Sequence, residues 1–167
     1  LSYAVNMAAV REAKRRGAAD VLFVSSDGYA LEGPTSTLLV RRGDSFLTTP
    51  ASAGVLAGTA VATLFEWLRE QQGLVTGEEL MTIEDVKGSD GAWLLSSTRL
   101  AAPITHLDEH ELPVDAELTA GRSVTPIPRQ VAADGLAHVL EVMWPAGFEW
   151  IPDWAETRPV AVVEIAP

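Results

Sequence analysis

Three places in the chain combine residue types and spacing that can do chemistry. The first is Glu32, in the loop Leu31-Glu32-Gly33-Pro34-Thr35-Ser36-Thr37, where Gly33 and Pro34 set a tight turn. A carboxylate in such a turn is either a solvated structural group or a proton acceptor for something bound. The second is the stretch VLAGTAVATL over 55–64, where Gly58 and Thr59 open a helix. A helix start offers free N–H groups and a hydroxyl to an anion, and an ordinary threonine cap has the same residues. The third is Ser96-Ser97-Thr98 at the end of an apolar run. Hydroxyls there either bind phosphate or satisfy nearby backbone groups.

The histidines carry less. His106 and His110 lie four residues apart in HLDEHE, with nothing to complete a coordination shell, so a solvated loop is expected and no metal. His138 falls in a tail segment with no evident partner. No nucleophile-elbow motif accompanies them.

These groups need elements to position them. Residues 3–17 predict a helix, with Val5, Ala8, Ala9 and Glu12 near helical spacing and Gly17 as its stop. Lys14, Arg15 and Arg16 gather where the helix dipole favours cations. VLFVS (21–25) predicts a buried strand before the Asp27-Gly28 turn. TLLVR (37–41) and SFLTT (45–49) predict a strand pair hinged at Arg42-Gly43-Asp44. In 59–72, Val61, Leu64, Phe65 and Leu68 follow the i, i+3, i+4, i+7 rule of an amphipathic helix that Gly73 ends. A short helix capped by Thr82, a buried strand at 91–97 and a strand beginning at 103–105 complete the pattern. Interleaved strands and helices define a mixed α/β, or α+β, domain. The composition changes near Gly121: six of ten prolines and three of five tryptophans lie beyond it. In that tail, 131–143 predicts a helix and 160–165 a strand.

Composition excludes several classes. At 167 residues, 47% hydrophobic and 21% charged, the chain is one globular domain by length. Its net charge of −11 argues against a nucleic-acid partner, although a helix start still binds phosphate locally. With no cysteine there is no disulfide, thiolate nucleophile or zinc–thiolate site, and a cytoplasmic location is the simplest expectation. No apolar run reaches the ~20 residues of a membrane span.

The order of these pieces resembles the signature of fold-type IV pyridoxal-phosphate enzymes, the class IV aminotransferases. That signature places a lysine before an asparagine- or serine-containing turn, then a helix, Gly-Ala and an acid, a strand, Asp-Gly-Tyr, and Glu-Gly-x-x-Ser. The run LSYAVNMAAVREAKRRGAADVLFVSSDGYALEGPTSTLLV follows it from Leu1. LTTP (47–50), VLAGTAVATLFE, AWLLSSTRLAAPITHLD and ELPVDAELTA (111–120) are similar to later family segments in the same order. The resemblance covers 1–120, as the C-terminal, cofactor-side domain of the D-amino-acid aminotransferase-like fold. Residues 121–167 stay unassigned. Within the family, LSYAVNMA, LEGPTST and WLLSSTRLAA are most similar to the aminodeoxychorismate lyases.

The resemblance implies a pyridoxal 5'-phosphate cofactor and a role for each matched residue. Glu32 faces the pyridine nitrogen. Gly58 and Thr59 cradle the phosphate, and Thr98 adds a second hydroxyl to it. Ala60 replaces a frequent hydroxyl residue and Thr37 a frequent asparagine. Tyr3 lies beside the cofactor, and Arg99 at the substrate mouth meets a carboxylate. The Schiff-base lysine falls about two residues before Leu1, whereas the chain has Lys14 and Lys87, neither in the motif. The chain by itself is therefore expected to be inactive. The expected activity of the intact protein is elimination of pyruvate from aminodeoxychorismate to give 4-aminobenzoate for folate synthesis, by a homodimer acting on an amino-acid-like small molecule. The alternatives are a branched-chain or D-amino-acid aminotransferase, and a catalytically incompetent truncated domain.

Overall fold

A computed structural model describes residues 3–97, 100–114 and 158–164. Helix α1 (Ala4–Arg15) leads into strand β1 (Asp20–Val24), all five residues of which are buried. A minimal strand β2 (Glu32–Gly33) turns into β3 (Ser36–Arg42), and β3 into β4 (Ser45–Thr48). A 3-10 turn at Ala51–Ala53 precedes α2 (Thr59–Gln72), which Gly73 closes in the left-handed conformation. Then come β5 (Val75–Glu78), α3 (Ile83–Lys87), β6 (Gly91–Ser96), β7 (Leu100–Leu107), β8 (His110–Glu111) and β9 (Arg158–Glu164).

The strands form one mixed sheet in the order β1-β9-β7-β6-β3-β4-β5, with β2 on β3 and β8 on β7. Strand alternation sorts the core into two layers. Leu39 of β3 and Trp93 and Leu95 of β6 face the apolar stripe of α2, made by Ala60, Val61, Leu64, Phe65 and Leu68. Leu38, Val40, Ala92 and Leu94 point the other way, into a layer with Leu22, Met81, Val86 and Ile104. Helix α1 covers the end of the sheet by packing Ala9 and Ala13 on Val21 and Phe23. Because helices or loops cover both faces, the central strands are continuous apolar runs.

The mixed α/β expectation holds, and so do α1, β1, the β3–β4 hairpin and α2 within two residues at each end. Thr82 caps α3 through a reciprocal capping box with Asp85. Two expectations need correction, and one strand was missed. Strand β7 starts at Leu100, ahead of the proposed start at Pro103, which pairs with Trp93 inside the strand. His106 and His110 do not lie in a loop: they belong to β7 and β8, a hairpin turning at Asp108, whose φ is 49°. The polar edge strand β5, parallel to β4, was not anticipated. The expected strand near 160 is present as β9, parallel to both β1 and β7, whereas the expected helix at 131–143 and His138 lie outside the described residues.

Candidate active site

The site is organised by a hairpin too short to define itself. Strands β2 and β3 share two pairs, Glu32 with Thr37 and Gly33 with Ser36, around a Pro34-Thr35 turn. Gly33 permits a close approach: a Cβ there would overlap the Ser36 hydroxyl and stand 3.3 Å from the Val21 carbonyl. The hairpin is thus pressed onto β1.

Thr37 carries the link to the helix start. A Cβ on Gly58 would overlap the Thr37 hydroxyl, so the absent side chain lets the first turn of α2 close onto β3. Gly58 is the N-cap of α2 and no side chain caps that end. Its carbonyl accepts the Ala62 N–H, which leaves the earlier N–H groups of the turn without helical partners, as at any helix start. Thr59 is exposed beside them. Thr37 also pairs with Leu95 of β6, so Ser96, one residue on, ends its strand close to the hairpin.

Glu32 reaches the same place from the other side. Its Oε2 accepts the backbone N–H of Leu56 at 3.2 Å. Burial pushes the Glu32 carboxyl above the usual carboxylate range, and the Leu56 N–H opposes this more weakly. One oxygen of an otherwise little-compensated carboxylate is tied to the loop that leads into α2.

Of the six residues marked by the sequence, the structure therefore joins Glu32, Gly58 and Thr59 through Thr37 and Leu56. Tyr3 is the N-cap of α1, 56% exposed, and makes no side-chain cap. Thr98 and Arg99 lie outside the described residues. Ala60 belongs to α2's buried apolar stripe, so a hydroxyl at that position would meet apolar neighbours. His106 and His110 occupy adjacent rungs of their ladder and face opposite sides of it. Among the described residues no group of three or more His, Cys, Asp or Glu is placed to hold a metal, and no helix is long and apolar enough to cross a membrane.

Sequence reasoning passed over two contributors. The Leu56 N–H is a backbone group with no residue-type signal. Asn6, whose side chain donates to the Pro34 carbonyl at 2.7 Å, lay in a helix read for its apolar spacing, its basic last turn and its Gly17 stop.

The mixed sheet and its helices are those of a known family. The chain matches the family model for amino-transferase class IV over residues 1–107 and belongs to that family, whose members are pyridoxal-phosphate-dependent enzymes. It is 45% identical over 120 residues, 68% of its length and 41% of the relative's, to a bifunctional aminodeoxychorismate lyase / D-amino acid transaminase of Mycobacterium tuberculosis. Among solved structures it resembles a fold IV-transaminase from Curtobacterium pusillum, with TM-score 0.70 and 43% identity over 84% of this chain and 43% of that one. A hypothetical aminotransferase from M. tuberculosis in its PLP-bound form gives TM-score 0.69 and 39% identity, over 83% and 44% of the two chains. The chain thus spans less than half the length of these relatives.

Proposed function

We propose that this chain is the cofactor-side half of a pyridoxal-phosphate-dependent aminodeoxychorismate lyase, which releases pyruvate and 4-aminobenzoate in folate biosynthesis. The observation that carries the reading is the meeting of Glu32, Thr37 and Gly58, which brings a half-buried carboxylate and an open helix start together at one hairpin. The similarity to the bifunctional mycobacterial relative supports the lyase assignment.

The residues present fit the cofactor at both of its polar ends. No side chain caps α2 at Gly58, and α2 is 14 residues long, enough for a full dipole behind a phosphate. Thr59 adds an exposed hydroxyl there. At the other end, Glu32 would hold a proton at the pyridine nitrogen. Its burial makes the ionised carboxylate a stronger acceptor, and the Leu56 N–H fixes which oxygen is already used. Bound pyridoxal phosphate supplies the electron sink for a substrate carbanion. In this reading Thr98 supplements the phosphate cradle, Tyr3 flanks the cofactor, and Arg99 receives the substrate carboxylate. A lysine immediately upstream of Leu1 provides the amine, and the working form is a cytoplasmic homodimer.

A D-amino-acid transaminase is the second reading, supported by the relative's other activity. The experiment is to supply the fully encoded protein with aminodeoxychorismate or with D-alanine and an α-keto acid. The lyase reading expects 4-aminobenzoate as the faster product. D-alanine transamination with no 4-aminobenzoate would replace it by the second. In either case Glu32→Gln should lower kcat on the order of 100-fold with a much smaller loss of cofactor affinity, since it acts on charge that develops during reaction.

A further inference from the structure

The β3 arm of the hairpin is fixed by β4 and β6, and the β2 arm is tied to β1 by the Leu31 N–H, which donates to the Phe23 carbonyl at 2.8 Å. The turn between the arms has fewer ties: Gly33 packs on β1, the Leu56 N–H holds Glu32, and a further contact comes from α1. Pro34 is buried, and its carbonyl lies in the turn, where the β2–β3 ladder offers no partner. Asn6 supplies the donor at 2.7 Å across 28 residues of sequence. Asn6 is on the first turn of α1, and the rest of that helix meets the domain through small apolar contacts at Ala9 and Ala13.

We infer that Asn6 is a positioning residue: it locks the tip of the Glu32 hairpin to the first turn of α1. This sets the carboxylate relative to the chain segment that enters α1, and rests on the proposed function, which puts the cofactor's lysine on that segment. A donor is required. Asparagine provides one on a short, stiff side chain, whereas aspartate of the same shape would aim a carboxylate oxygen at the Pro34 carbonyl.

The test compares Asn6→Asp and Asn6→Ala with the wild type in the fully encoded protein. Amide hydrogen exchange over 33–37 is read on the cofactor-free form, and the pH at which the absorbance of bound PLP changes is read on the loaded form. The expected result is exchange about 10-fold faster over 33–37 in both variants, with the β6 amides unchanged. The absorbance midpoint should move by about one pH unit, which a merely structural loss would not cause. Wild-type exchange in Asn6→Asp, or acceleration spread evenly over the sheet, overturns the lock. Faster local exchange with an unmoved midpoint overturns the positioning role. If the wild type takes up no PLP, the proposed function fails, and the exchange measurement still decides whether Asn6 holds the hairpin.

Discussion

Glu32 and Leu56 are joined by a backbone N–H to carboxylate hydrogen bond of 3.2 Å that ties the β2–β3 hairpin to the loop before α2. This contact and the Gly58–Thr37 approach meet at one rung of the ladder, because Glu32 and Thr37 are cross-strand partners. The carboxylate and the helix start are therefore mechanically coupled.

Glu32 should cost the cofactor-free domain stability at neutral pH. Its carboxyl is raised by burial, so its favourable contribution is complete below the ordinary carboxylate value and is lost as pH rises through the folded value. Glu32→Gln keeps an acceptor for the Leu56 N–H and removes the charge. The variant should melt about 1–3 °C higher at pH 7 and match the wild type near pH 3. Calorimetry across that range checks it, and a variant that melts lower at pH 7 would show that the charge is well compensated.

Gly58→Ala should damage both packing and anion binding. The new Cβ overlaps the Thr37 hydroxyl, and forcing apart a packed contact of this kind costs about 1–3 kcal/mol. Urea denaturation should show that loss, and Thr37→Ala in the same chain should recover part of it. Full additivity of the two substitutions would mean that the residues do not meet.

The Thr82 cap lies on the other layer and provides a control. Thr82→Ala removes the acceptor of the Asp85 N–H in the capping box and should cost about 1 kcal/mol. Phosphate or cofactor binding by the fully encoded protein should stay unchanged, as measured by isothermal titration.

Acid should weaken α1. Hydrogen bonds from Arg15 and then Arg16 hold the Glu12 carboxyl down to about 2. A depressed carboxyl contributes stability that is present above its ordinary value of 4.5 and fades as pH falls toward about 2. Glu12→Gln should flatten that part of the helix melting curve, followed by circular dichroism, without changing stability at pH 2.

Elements with strong periodicity were legible in the sequence. The spacing of Val61, Leu64, Phe65 and Leu68 and the apolar run at β1 each settle an element, because burial rewards that pattern alone. Strand β5 was hidden because VTGE is polar and contains glycine, as an edge strand can afford to be. The early start of β7 was hidden by Pro103, which reads as a strand boundary and sits within the strand. At the site, Glu32, Gly58 and Thr59 were marked by type and order. Their meeting was not, since it depends on Thr37 approaching a residue 21 positions away and on a backbone N–H that has no sequence signature.

The most direct measurement is borohydride reduction in the presence of PLP, followed by peptide mass spectrometry, on the fully encoded protein and on chain 1–167. Lys14 lies exposed in the last turn of α1, and Lys87 is paired with Glu84 on α3, so neither belongs to the hairpin–helix site. The expected result is one stoichiometric pyridoxyl label on the lysine just upstream of Leu1 in the full protein, and no unique label on the shorter chain. Stoichiometric labelling of Lys14 or Lys87 would contradict the site built around Glu32 and the start of α2.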